Sequence, residues 1–144
     1  AQDLGVDGVI VSNHGGRQMD GAISPLRVLP EIVKAAPGLT VMMDSGIRRG
    51  SDVLKALSLG ARCVFNGRSF NYAATAAGAE GVRHAIGILR SEVHRNMALL
   101  GINRLDELDG SLVRDLDGQG HAIPELAMPQ NVSNSKLLPL RHSR

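Results

Sequence analysis

One cysteine, one tyrosine, two phenylalanines and no tryptophan occur in 144 residues. A lone thiol, Cys63, cannot close an internal disulfide, which excludes a disulfide-stapled secreted scaffold and suits a reducing compartment. Phe65, Phe70 and Tyr72 are too few for the base-stacking platforms of single-strand nucleic-acid binders. No apolar run approaches the roughly 20 residues that cross a bilayer. A strong charge of one sign is lacking too. Sixteen Lys and Arg stand against fourteen Asp and Glu, a formal net charge of +2, and the pI of 9.1 comes without clustering of the basic residues. No His, Cys, Asp and Glu grouping has zinc-site spacing, so no metal is expected. The opening residues, Ala1-Gln2-Asp3-Leu4-Gly5, lack the basic, apolar and small-residue regions of a signal peptide. They read instead as the end of a helical turn capped by Gly5, and suggest that the sequence starts inside something larger.

What is present is ordinary for a globular domain: 43% hydrophobic and 21% charged residues. Residues 6–12 (VDGVIVS) hold a short β-branched run, the sign of a strand buried on both faces. A glycine-rich loop over 13–23 follows, then Ser24-Pro25 as N-cap and first helical position of a helix reaching Ala36, with Pro30 as a potential kink. A second strand is predicted over 40–44 (TVMMD), a helix capped by Ser51 reaching Leu59, and a third strand over 62–66 (RCVFN). An Ala-rich segment spans 69–77, and a long helix over 80–100 places Val82, Ile86, Leu89, Val93 and Met97 on one face, with Gly101 as its stop. A further helical turn is expected over 104–108. The alternation predicts a parallel α/β sheet over 1–116 and an extended or mobile C-terminal tail over 117–144. Three parallel strands cannot close a barrel, and helices on one side leave the other face bare. Part of a domain is therefore expected.

Each predicted strand delivers polar residues at its C-terminal end: Asn13-His14-Gly15-Gly16-Arg17, then Asp44-Ser45-Gly46-Ile47-Arg48, then Gly67-Arg68. In parallel βα folds, ligands bind at that end. Glycines let backbone N–H groups approach an anion, and Arg48 and Arg68 add fixed charge, so two successive loops suit a phosphate. The competing reading is tight turns with solvated arginines. His14 follows a strand directly and has Arg17 three residues on. An imidazole accepts a proton near neutral pH, and a guanidinium grips a carboxylate through two parallel hydrogen bonds. Together they suit proton removal from a small hydroxy acid. His84, His94, His121 and His142 lie mid-helix or near the tail and read as incidental.

The run Ser12-Asn13-His14-Gly15-Gly16-Arg17-Gln18 with Asp20, joined to Asp44-Ser45-Gly46-Ile47-Arg48-Arg49-Gly50, resembles the FMN-dependent α-hydroxy acid dehydrogenase and oxidase family. The likeness continues through Asp52-Val53-Leu54-Lys55-Ala56-Leu57-Ser58-Leu59-Gly60-Ala61 to Gly67-Arg68, and along the long helix to about residue 116. The Asp-Ser-Gly form is similar to the L-lactate dehydrogenase branch. This resemblance implies a TIM (β/α)8 barrel, of which these strands would be the sixth to eighth. It implies that His14 is the active-site base, that Arg17 anchors the substrate carboxylate and that Asp44 contacts the ribityl chain. Gly46, Arg48, Gly67 and Arg68 would hold the FMN phosphate.

The resemblance implies oxidation of a small (S)-2-hydroxy acid, L-lactate by preference, to the 2-oxo acid with FMN as electron acceptor. The family's substrate-binding tyrosine, the aspartate that orients its histidine and a lysine near the flavin lie upstream of the matched motifs. Tyr72 lies outside those motifs and is no substitute. Two readings follow: a C-terminal fragment of such an enzyme, or a non-catalytic phosphate- or FMN-binding partial barrel, inactive on its own. A different FMN barrel, such as an isomerase, fits the His14 and Arg17 pair less well. Family members are often tetramers and some associate peripherally with membranes. A cytoplasmic protein, with the inner face of the membrane as an alternative site, is expected.

Overall fold

The structure, a computed structural model, describes residues 1–114. The expected tail over 117–144, with His121 and His142, lies outside them. Strands β1 (Gly8–Val11), β2 (Thr40–Met43) and β3 (Cys63–Val64) form one parallel sheet in the order β1-β2-β3. Val11 stands opposite Met43, and Met43 opposite Val64, so the three strands end level with one another. Helices α1 (Pro25–Ala35) and α2 (Gly50–Ser58) make the two crossovers, and α3 (Arg68–Leu100) follows β3.

The strands are shorter than the apolar runs that announce them, because ladder partners stop where the loops diverge. They are also covered differently from the reading of 6–12 as a strand buried on both faces. Val11, Val41 and Met43 are buried and Val9 and Val64 half-buried, all on one face, packed with Leu29 and Ala56 from the crossover helices. The alternate residues face away. Ile10 is 51% exposed, Phe65 44%, and Cys63 is exposed, while Met42 between them is half-buried. Period-two alternation puts Ile10, Met42 and Cys63 in one transverse row on that open face. Among the described residues, nothing covers it enough to bury it.

Helix α1 turns Leu26, Leu29, Ile32 and Val33 toward the sheet at spacings of three and four, with Leu29 fully buried. Burial of a side chain of that size contributes about 1.5–3 kcal/mol. Pro30 is accommodated inside the helix, which ends at Ala35. Ser24 occupies the N-cap position as expected, but its side chain makes no capping bond, and Pro25 at N1 has no N–H to satisfy.

The start of α2 departs from the sequence reading. Ser51 is not its cap; the helix begins at Gly50 with Arg49 at the N-cap. Asp52 reaches back to accept from the N–H groups of Arg48 (3.0 Å) and Arg49 (2.9 Å). Glu92 of α3 accepts from the Gly50 N–H and from the Arg49 guanidinium, both at 2.8 Å. Two carboxylates at the positive end of the helix thus satisfy N–H groups at and just before its start, a role that no serine hydroxyl fills here.

Helix α3 is interrupted at Ala77 and Gly78, Gly78 having φ 56°, which separates the Ala-rich segment from the long helix as expected. Val82, Leu89, Val93 and Met97 are half-buried, but Ile86 is 48% exposed. The packed stripe runs instead through Ala85 and Glu92, because Glu92 is committed to α2. Gly101, with φ 74°, ends the helix, and Leu105–Glu107 forms the expected further turn. Near the start, the turn Gln2–Leu4 is closed by left-handed Gly5.

Candidate active site

Level strand ends bring three loops together at the carboxyl edge of the sheet. The Asp44 N–H donates to the Val11 carbonyl (3.1 Å), and the Phe65 N–H to that of Met43 (2.9 Å). The ladder thus continues to the first residue of each loop. Asp44 is half-buried at the end of β2, between the His14 loop and the Gly67 loop.

The His14 loop is a tight turn, His14–Gly16, in which His14 itself has φ 56°, followed by Gly15 at 66° and Gly16 at 73°. Left-handed backbone is costly for a histidine, on the order of 1–2 kcal/mol, and persists only where neighbours enforce it. The enforcing contacts are visible. His14 donates its N–H to Ser12 Oγ (3.0 Å), Gly15 donates its N–H to Ser45 Oγ (2.8 Å), and Arg68 Nη2 donates to the Gly15 carbonyl (3.0 Å). Ser45, itself left-handed at φ 67°, donates its hydroxyl to Asp44 Oδ1 (2.7 Å). His14 and Arg17 are both exposed, at the start and just past the end of the turn.

The structure thus joins Arg68, Gly15 of the His14 loop, Ser45 and Asp44 through one hydrogen-bonded chain. Arg68, predicted as a phosphate ligand, spends a guanidinium donor on the His14 loop while its backbone opens α3. Arg17 and Arg48 are exposed, and no described residue takes their guanidinium donors. Gly46, at φ 84°, has open space where a Cβ would stand, and Gly67 is the N-cap of α3 without a side-chain cap. Open glycines, uncapped first-turn N–H groups and a free guanidinium form a donor set for a phosphate. The residues present therefore fit a phosphate-bearing cofactor. Among the described residues no carboxylate engages the His14 imidazole, and no His, Cys, Asp and Glu grouping could hold a metal ion. Ser12 and Ser45 were missed by motif reasoning. Ser45 left one signal, a non-glycine residue before Gly46 in a loop where left-handed backbone is needed.

The sheet, the loops at its carboxyl edge and their donors define a parallel α/β enzyme segment whose loops suit a phosphate. The sequence pattern of the FMN-dependent dehydrogenases matches residues 1–115, and the chain belongs to that family. It is 47% identical over 118 residues to an L-lactate dehydrogenase of Caulobacter sp. (strain K31), covering 81% of this chain and 31% of that protein. It is 46% identical over 114 residues to an L-lactate oxidase of Nostoc sp., with 78% and 31% covered. Among solved structures, a mandelate oxidase with 3,3-difluoro-2-hydroxy-3-phenylpropionic acid superposes with a TM-score of 0.71 at 47% identity, over 74% of this chain and 32% of that one. The chain thus spans about a third of the length of these relatives. Their fold, a TIM barrel, is the one to which this sheet belongs, and FMN is the family's cofactor. Another of the matched mandelate oxidase structures carries an FMN adduct.

Proposed function

We propose that this chain supplies the proton acceptor, the carboxylate anchor and the phosphate loops of an FMN-dependent oxidation of a small (S)-2-hydroxy acid, L-lactate in first place. The observation that carries the proposal is the His14 turn, strained at φ 56° and clamped onto the loops assigned to the cofactor. The free Arg17 guanidinium binds the substrate carboxylate through two parallel bonds and orients the carbon to be oxidised. A nitrogen of the His14 imidazole accepts one substrate proton. Gly46, Arg48, Gly67 and the opening of α3 hold the phosphate, and Asp44 keeps an oxygen for the ribityl hydroxyls. When bound there, FMN would supply the two-electron acceptor of the oxidation, the second hydrogen leaving the substrate with the electron pair. The lactate preference is supported by the names of the relatives in Caulobacter and Nostoc. The proposal places the enzyme in the cytoplasm, where a lone thiol such as Cys63 stays reduced.

A second reading, a partial barrel that binds phosphate or FMN without turnover, is favoured by the His14 imidazole having no carboxylate partner among the described residues. One experiment separates the two. Residues 1–115 replace the corresponding third of the Caulobacter relative, and the FMN-loaded hybrid is assayed with L-lactate. Turnover is expected, and His14→Gln should lower it by about 10²–10⁴ while FMN stays bound. Near-unchanged turnover in that variant removes His14 from the reaction, and a hybrid that binds FMN but never turns over favours the second reading.

A further inference from the structure

We infer that Ser45 is a positioning residue for His14, acting across two loops. The inference rests on the proposed role of His14 as proton acceptor. The Ser45 hydroxyl is used twice, accepting from the Gly15 N–H at 2.8 Å and donating to Asp44 Oδ1 at 2.7 Å. The Gly15 N–H belongs to the peptide unit that follows the His14 α-carbon, so holding it fixes the ψ side of His14. The φ side is held by the His14 N–H on Ser12 Oγ at 3.0 Å. With both flanking peptides tied, His14 cannot relax from φ 56° to the right-handed or extended regions that a histidine prefers. Its Cα–Cβ bond, and with it the imidazole, is aimed by that constraint.

Ser45 itself stands at φ 67°, where glycine would cost nothing. A serine there carries backbone strain that its hydroxyl offsets through two hydrogen bonds, one of them to a carboxylate. The same bonds tie the aim of His14 to Asp44, on the loop assigned to the cofactor. Movement of the Asp44 loop on cofactor binding would therefore be felt at the imidazole. Arg68 holds the opposite edge of the turn through the Gly15 carbonyl, so Ser45 is the contact through which Asp44 acts.

The test uses the FMN-loaded hybrid with Ser45→Gly and Ser45→Ala. Glycine relieves the φ 67° strain and alanine keeps it, so only the lost hydroxyl is common to both. Both variants are expected to lose about tenfold to a hundredfold in kcat, the scale of a misplaced catalytic group, with KM and FMN occupancy within about twofold. Amide exchange at Gly15 should speed up on the order of tenfold in both, as expected for one lost hydrogen bond. Unchanged kcat in both variants, where His14→Gln is inactive, overturns the inference and leaves the role of His14 standing. Unchanged kcat in all three overturns the proposed function as well. A Gly15 amide that exchanges at the unfolded rate in the unsubstituted protein also overturns the inference, whatever the activity. A loss in Ser45→Ala alone would assign the effect to strain and not to the hydroxyl, and overturns it equally.

Discussion

At the scale of single residues, the site depends on how many donors each cation has left to offer. Arg17 has no described partner for its guanidinium, whereas Arg68 is already bonded to the Gly15 carbonyl. Two arginines of the same motif set therefore do different work, one free for a ligand and one partly structural. For Arg17 the planar fork matters more than the charge, since an ammonium offers a single point of attachment. Arg17→Lys in the FMN-loaded hybrid should lower kcat/KM for L-lactate by about tenfold or more, with FMN binding unchanged. Steady-state kinetics checks this, and equal kcat/KM values would remove Arg17 from carboxylate recognition. Sequence reasoning found both arginines by their place after a strand. It had no means of telling which would be free, because the Gly15 carbonyl lies 53 residues away from Arg68.

Among elements, the close seating of α2 on α3 holds the loop after β2 in place. Gly50 is buried, and a Cβ there would stand 2.5 Å from the Val93 nitrogen and 2.6 Å from the Glu92 backbone. The helices would have to separate, so Gly50→Ala should destabilise by about 1–3 kcal/mol. A lower urea midpoint for the hybrid, at constant slope, is the expected reading.

Glu92 adds a pH dependence to the same contact. The Gly50 N–H, and then the Arg49 guanidinium, hold its carboxyl below the ordinary value. A folded-state pKa lowered in this way contributes stability above the unfolded value, and that contribution is lost as pH falls through the folded one. The gap in urea midpoint between the unsubstituted protein and Glu92→Gln should therefore be widest near neutral pH. It should shrink as the solution is taken down through and below the carboxylate range. A gap independent of pH would show that the ion pair and cap are not what Glu92 supplies.

For the whole molecule, the open sheet face dominates. Ile10, Met42, Cys63 and Phe65 lie on it, and β1 and β3 present unpaired edges among the described residues. Contiguous apolar surface beside open strand edges favours association. The 144-residue chain by itself should therefore self-associate, and Ile10→Thr with Phe65→Thr should reduce it without loss of helical signal. Sedimentation and circular dichroism check this. A monodisperse monomer at high concentration would mean that the face is covered by residues outside 1–114.

The order of strands and helices, the polar loops after each strand, and the donor groups that Gly46, Arg48 and Gly67 offer a phosphate are written locally. Periodicity, turn residues and short motifs depend only on near neighbours, and a sequence displays near neighbours directly. The level strand ends also follow from the repeated βα unit. Which loops touch, and which face of each element is covered, depends on register and on strands lying side by side. Ser45 reaches Gly15 across 30 residues, and Glu92 caps α2 from 42 residues beyond Gly50. No local pattern marks Glu92 as a cap, since a carboxylate on a helix reads equally well as solvated surface. The first strand reads as buried on both faces because its β-branched run suits that state, yet within residues 1–114 only one face is covered. Burial depends on what packs against a surface, and that is settled only when distant elements meet.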